Sequence, residues 1–264
     1  MPQPTPPNFH YFRYASVLEK DIKLAAWVDQ SVGITEVVFE RKDTNGIYEI
    51  IGQGTVLNNN AYFLDEDVDP SWGPWTYRSI YLDSCGNPGE YANENTTIHV
   101  SGTADQYNMI NALNWSSYTD FDGGIENYQA YRNTYGTWEI VPFQILPNGN
   151  LNLTDDVSQM RNNGEVCYQI MALENNNQYG FADSSFSNQF CLPYDPLIFV
   201  PNAFTPDGLN PIFLPVVQNV DPDKYTFSII DRWGKIVFES SDPSKGWDGM
   251  INSSGLPATN DVFQ

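Results

Sequence analysis

An all-β chain of tandem sandwiches is what this sequence predicts, on three observations. Helical periodicity is almost absent over the 264 residues. Short alternating or apolar runs recur instead, bounded by Asn, Asp, Gly and Pro. Over the first two thirds of the chain the runs return in the same order after roughly ninety residues. An apolar content of 41% is modest, but 14% aromatic residues supply large side chains for several small cores.

The opening residues 1–8 are Pro-rich and read as an extended linker within a longer precursor, and MPQPTPPNF lacks the basic-then-apolar pattern of a signal peptide. Residues 9–101 form a first module with the runs DIKLAAWV, ITEVVFERK, IYEIIGQG and WTYRSIYLDSCGN. Residues 102–194 repeat it with MINALNWSSY, IENYQAYRN, WEIVPFQIL and EVCYQIMALENNNQYG. Each copy has a strand with a Trp (Trp27, Trp115), a strand ending in a basic residue, an acidic turn (FLDEDVDP, LNLTDDV) and an aromatic strand. The size is that of one immunoglobulin-like sandwich. A Trp early and a Tyr late (Tyr77, Tyr168) resemble fibronectin type III modules, which implies that each Tyr hydroxyl sits against a neighbouring turn. Breaks are expected at SGTADQ and LPYDP, where turn formers interrupt the pattern.

Residues 195–264 follow another plan. YTFSIIDRWGKIVFES is a hairpin, with Tyr225, Phe227 and Ile229 alternating on one arm and Ile236 and Phe238 on the other. Asp231, Arg232, Trp233 and Gly234 make its turn, Gly234 being free to take positive φ. Ahead of the hairpin, Pro201 and Pro206 pre-set a corner, and Gly208 suggests a left-handed residue in it. A second corner, GWDG, follows.

FVPNAFTPDGLNPIF, IIDRWGKIVFES and GWDG in this order resemble the gliding-motility-associated C-terminal domain, the type B sorting domain of type IX secretion substrates in Bacteroidota. The resemblance covers 197 to 264. It implies a third immunoglobulin-like β domain at the end of a large exported protein. It also implies recognition by the outer-membrane translocon and a small pathway-specific outer-membrane partner, with the protein at the cell surface or released. The signature falls on Pro201, Asn202, Ala203, Phe204, Thr205, Pro206, Asp207, Gly208 and Asn210, on Asp231, Arg232, Trp233, Gly234 and Phe238, and on Gly246, Trp247, Asp248 and Gly249. The acidic corner is shorter than in many members. The chain stops at DVFQ, short of the family's final strand, so the third sandwich is expected to be incomplete, with an open edge for strand addition.

Charge and composition narrow the chemistry. A formal net charge of −21, from 12 basic against 33 acidic residues, repels nucleic acid and anionic lipid. Arg232, Lys235 and Lys245 stand out around the hairpin turn and the next corner as a candidate contact for an acidic partner. Of three cysteines, Cys167 and Cys191 lie in adjacent apolar segments and could bridge neighbouring strands in an oxidising compartment, while Cys85 has no evident partner. No cofactor is expected. Calcium is the one ion left open, at Asp65, Glu66, Asp67 and Asp69 or at Asp120 and Asp122, whereas Asp207 and Asn210 offer too few ligands on their own. The two histidines, His10 and His99, lie in no catalytic pattern, and no enzyme is expected. Trp72, Trp75 and Tyr77, or Tyr128, Tyr131, Tyr135 and Trp138, could instead form a sugar-stacking platform. Two functions therefore compete. One is the sorting-signal-bearing end of an adhesin-like surface protein with two spacer sandwiches; the other is a glycan- or protein-binding module.

Overall fold

Strand pairing builds each of the first two modules from two sheets. The computed structural model describes residues 9–160, 163–251 and 255–258. The linker 1–8 and the DVFQ end lie outside these residues. In the first module, β1 (His10–Leu18), β2 (Asp21–Val28) and β5 (Asn60–Asp65) form one sheet in the order β1-β2-β5. The other holds β3 (Glu36–Lys42), β4 (Tyr48–Thr55), β6 (Thr76–Leu82) and β7 (Pro88–Tyr91) in the order β4-β3-β6-β7, with β8 (Asn95–Thr96) also on β6. The second module repeats this. β9 (Val100–Asp105), β10 (Ile110–Trp115) and β13 (Asn152–Asp156) make its smaller sheet. β11 (Ile125–Asn133), β12 (Gln144–Pro147), β14 (Glu165–Glu174), β15 (Ser184–Phe186) and β16 (Phe190–Pro193) make the larger one. All named pairs are antiparallel, and the strand order is that of fibronectin type III-like sandwiches.

Of the two expected acidic turns, FLDEDVDP is a turn after its first three residues, while LNLTDDV is mostly strand. FLDEDVDP starts inside β5, LNLTDDV contains the whole of β13, and each delivers one carboxylate to the interior. Asp65 is 2% exposed, and Arg41 Nη1 donates to both its oxygens at 2.9 and 2.7 Å. Tyr77 donates its hydroxyl to the same carboxylate at 2.9 Å. Asp155 accepts from Arg132 Nη1 at 2.9 Å on both oxygens and from the Tyr168 hydroxyl at 2.8 Å. In each module the Arg and Tyr are register partners on adjacent strands, while the Asp belongs to the opposite sheet. The triad thus ties the sheets together and offsets the cost of burying a charge. The Tyr hydroxyl is spent on a strand carboxylate, not on a turn as the resemblance implied. Burial, with the nearby carboxylate, holds both Tyr pKa values far above the usual tyrosine range.

The Trp-to-Trp alignment is off by one residue. Ile22 faces Asp65 and Asn111 faces Asp155, so Ala26, not Trp27, corresponds to Trp115. With a period of two, one residue changes the face. Trp115 is buried in the second core, whereas Trp27 is half-buried and packs on Phe9 at 5.1 Å. SGTADQ, expected as a break, lies mostly in β9, which spans the expected 101/102 division, and Ile98 already packs in the second core.

The modules are not beads on a string. Residues 179–186 run parallel to residues 9–16, with 13–183, 15–185 and 16–186 hydrogen-bonded at one separation of 170 positions. Tyr179 stacks on Phe9 at 3.7 Å, and Phe181 on Tyr11 at 6.4 Å. Asp183 accepts from Arg13 Nε and Nη2 at 2.8 and 2.6 Å. Ser185 Oγ donates to the Ala15 carbonyl, and the Phe186 N–H donates to Ser16 Oγ. At the crossing between modules, buried Asn95 accepts from the Ala15 N–H and the Tyr118 hydroxyl, and Asp120 accepts from the Thr96 N–H at 2.6 Å. Ten residues (174–183) separate the paired Leu173 and Ser184, against five (83–87) between Leu82 and Pro88. The longer hairpin is what reaches across.

Among the described residues, the third module has two two-stranded sheets. β17 (Leu197–Phe199) pairs β18 (Val216–Gln218), and β19 (Phe227–Ile230) pairs β20 (Ile236–Ser240). A register shift between Ile229 and Ile230 turns both Val237 and Phe238 inward. Ile236, expected on the core face with Phe238, is therefore exposed.

Replacing Asp65 by Asn leaves Arg41 without its counter-charge, and replacing Asp155 by Asn leaves Arg132 with only the more exposed Glu139. Each change is expected to lower stability by about 3 kcal/mol, read from the denaturant midpoint, and an Arg41→Met/Asp65→Leu pair should cost less than either single change. His10, half-buried between the Glu90 carbonyl and Ser79 Oγ, has its pKa lowered to about 4, chiefly by desolvation. Folding therefore favours the neutral ring. The stability this contributes is complete above pH 6.5 and declines as pH falls from there toward 4. Between pH 7 and 5 the wild type should lose about 2 kcal/mol more than His10→Gln, and NMR should place the His10 midpoint near 4.

Candidate docking site on the third module

The corner 201–210 and GWDG fold into one unit. Thr205 and Asn210 close the corner, with the Thr205 N–H donating to the Asn210 carbonyl at 2.9 Å and the Gly208 N–H to the Thr205 carbonyl at 2.9 Å. Asn210 Nδ2 reaches the Ala203 carbonyl, and none of these bonds uses the exposed Asn202. Gly208 does not adopt positive φ, contrary to the left-handed turn expected of it. It is small because a Cβ there would meet Thr205 Cγ2 at 2.9 Å. Phe204 packs on Trp247 at 5.2 Å and on Phe213 at 5.7 Å. Trp247 is 2% exposed, donates Nε1–H to the Met250 carbonyl at 2.8 Å, and exchanges backbone hydrogen bonds with Phe213.

Both glycines of GWDG answer to packing. A Cβ on Gly246 would meet Ile212 Cγ2 at 2.4 Å, and one on Gly249, at φ +86°, would meet Pro206 Cγ at 2.9 Å. Asp248 accepts from the Met250 N–H at 2.9 Å. Phe204, Pro206, Gly208, Gly246, Trp247, Asp248, Gly249 and the buried Phe238 thus have structural work. Pro201 is half-buried, and Asn202, Ala203, Thr205, Asp207 and Asn210 are exposed around the corner.

The hairpin tip divides differently. Asp231 Oδ1 accepts from the N–H groups of Trp233 and Lys235, both at 2.9 Å. The Asp231 N–H donates to the Lys235 carbonyl and the Gly234 N–H to the Asp231 carbonyl, with Gly234 at φ +81°. Asp231 and Gly234 make the turn. Trp233 is 81% exposed, with the Arg232 guanidinium 5.2 Å from its ring centre. Lys235 is exposed beside them. Lys245 follows the Asp242–Ser244 turn at the other end of β20, so the three basic residues do not form one tip cluster.

Other sequence candidates are placed as follows. Cys167 and Cys191, register partners on β14 and β16, form a disulfide, and Cys85 is an exposed free thiol. Asp65 is saturated by Arg41 and Tyr77; Asp120 accepts from the Thr96 N–H and Thr119; Asp122 faces Gln178. Asp69 caps a short turn through Ser71. Among the described residues, the one compact group of metal-ligating side chains is Glu165 with Cys167 and Cys191, whose sulfurs are already bonded to each other. The aromatic platforms do not assemble: Tyr77 and Tyr128 are fully buried, Trp75 is half-buried with its indole N–H on the Asp69 carbonyl, and Trp72 stands out alone at 80% exposure. What sequence reading missed is the Tyr179 and Phe181 contact, although the longer polar loop NNNQYGFAD carried it.

Trp247→Ala is expected to cost the third module about 4 kcal/mol, and Trp233→Ala no more than about 0.5 kcal/mol. Thermal or chemical unfolding followed in that module tests the division.

No protein-family model matches this chain, and no curated protein matches it. Among solved structures it is similar to a tetra-tandem repeat in the extending region of a large adhesion protein. That match has 13% identity and a TM-score of 0.34, covering 96% of this chain and 68% of that one. It is also similar to the FN1–FN3 domains of chicken CNTN1, with 14% identity, a TM-score of 0.29, and coverage of 73% and 68%. No helix of the described residues is long and apolar enough to cross a membrane. On its own strand order and pairing, the chain is an all-β protein that opens with two fibronectin type III-like sandwiches.

Proposed function

We propose that this chain is the C-terminal region of a large exported, adhesin-like cell-surface protein without catalytic activity of its own. Its third module is the signal that the type IX secretion machinery recognises. The observation that carries the reading is the order and spacing of the motifs at 201–210, 231–234 and 246–249. Supporting it, the first and last of these pack into one small core, while the middle one is offered to solvent at a hairpin tip. The Cys167–Cys191 disulfide suits an oxidising compartment outside the cytoplasm. The two sandwiches, locked together along 9–16 and 179–186, suit a stiff spacer that holds the third module at a set distance from whatever precedes it. The partners in this reading are the outer-membrane translocon and a small pathway-specific outer-membrane protein.

The test places a signal peptide and a fluorescent reporter ahead of the full chain, in hosts with and without an intact type IX system. Surface or medium signal confined to the competent host supports the proposal. Periplasmic retention in both hosts, with the reporter folded, overturns it. A glycan screen with the full chain addresses the competing reading, for which saturable binding would have to appear.

A further inference from the structure

Among the described residues, one turn recurs at four hairpins. At Asp43–Ile47, Asp83–Asn87, Asn177–Phe181 and Asp231–Lys235, the side chain of the first residue accepts from the third and fifth N–H groups. In all four the fourth residue is Gly, at φ +82°, +81°, +79° and +81°. The fold needs only the first and fourth positions, so the second and third are left to face outward. They hold Thr44 and Asn45, then Ser84 and Cys85, in the first two turns. Two turns depart from this by carrying an aromatic third residue. In one of them that residue, Tyr179, is the ring stacked 3.7 Å from Phe9, the end of the inter-module contact. In the other it is Trp233, 81% exposed.

Charge sharpens the contrast. Among the described residues, the arginines of the two sandwiches pair with carboxylates of those modules: Arg13 with Asp183, Arg41 with Asp65, Arg78 with Glu40, and Arg132 with Asp155 and Glu139. Around Trp233, Arg232 and Lys235 stand at the solvent surface of a hairpin tip, in a chain of net charge −21. Arg232 lies over the indole, which holds a flat, cationic, apolar tip in place before any contact forms.

We infer that Arg232, Trp233 and Lys235 form the docking tip of the third module, and that its partner is an acidic protein surface with a recess that takes the indole. The inference rests on the sorting reading and assigns the contact within it. The tip touches the recognising outer-membrane component, while the 201–210 corner and GWDG build the platform beneath. Aromatic and arginine side chains are the residues that most often dominate such contacts, and flanking cations set the encounter with an acidic face.

The full chain behind the reporter is compared with Trp233→Ala and with the Arg232→Glu/Lys235→Glu pair in the type IX-competent host. Thermal unfolding of each purified variant serves as the folding control. The expected result is a drop of about tenfold or more in surface signal for Trp233→Ala and a clear drop for the charge-reversed pair, with unfolding unchanged. Wild-type export of both variants overturns the docking tip and leaves the sorting reading standing. An unaltered chain whose export does not depend on the type IX system overturns the sorting reading, and the tip's role falls with it.

Discussion

A carboxylate buried between two sheets is the constraint on which each sandwich depends. Asp65 and Asp155 come from the smaller sheet and are met by an Arg and a Tyr that face each other on the larger one. An ionised carboxylate in an apolar core is expensive unless it is both paired and hydrogen-bonded. Satisfying it fixes three strands at once, in register and in depth. Any slip by one residue would swing the Arg or the Tyr to the outer face and leave a charge stranded. The two modules differ almost everywhere else in sequence, yet both solve the same problem with the same three residue types.

The differences between the modules make the chain more than a repeat. Five extra residues in the second module's hairpin carry Tyr179 and Phe181 to the outer face of β1 and β2, where Phe9, Tyr11 and Trp27 receive them. The bidentate Arg13–Asp183 pair and the buried Asn95 then set the relative position of two modules that a flexible linker would leave free. Stacked rings, a charge-assisted pair and hydroxyl-to-backbone bonds act along one line of residues, so the contact behaves as a zipper and not as a single anchor.

In the third module the same economy separates scaffold from surface. Phe204, Trp247 and the two GWDG glycines are accounted for by contact distances, and Asp231 and Gly234 by hydrogen bonds and positive φ. Arg232 and Trp233 are exposed side chains that neither the core nor the turn needs, and Ile198, Phe199 and Leu209 are exposed in the same module. Such residues cost solubility unless something meets them, because an exposed indole gains little from water.

By itself the sequence determined the all-β class, the repeat, and the residue types of the triad, because alternation and turn chemistry are local properties of the chain. It also set Cys167 and Cys191 in adjacent apolar segments, while their pairing waited for the register of β14 and β16. Composition showed the acids but not which of them were buried: Asp65 and Glu66 are adjacent, and only the opposing sheet makes one a core residue and the other a surface one. Trp27 and Trp115 looked equivalent because spacing over ninety residues is too coarse to resolve a single-residue offset, and the strand period turns that offset into opposite faces. The zipper at 9–16 and 179–186 was invisible for a similar reason. Its partners lie 170 positions apart, and whether two such distant segments meet is decided by how whole modules pack and not by the residues near either one.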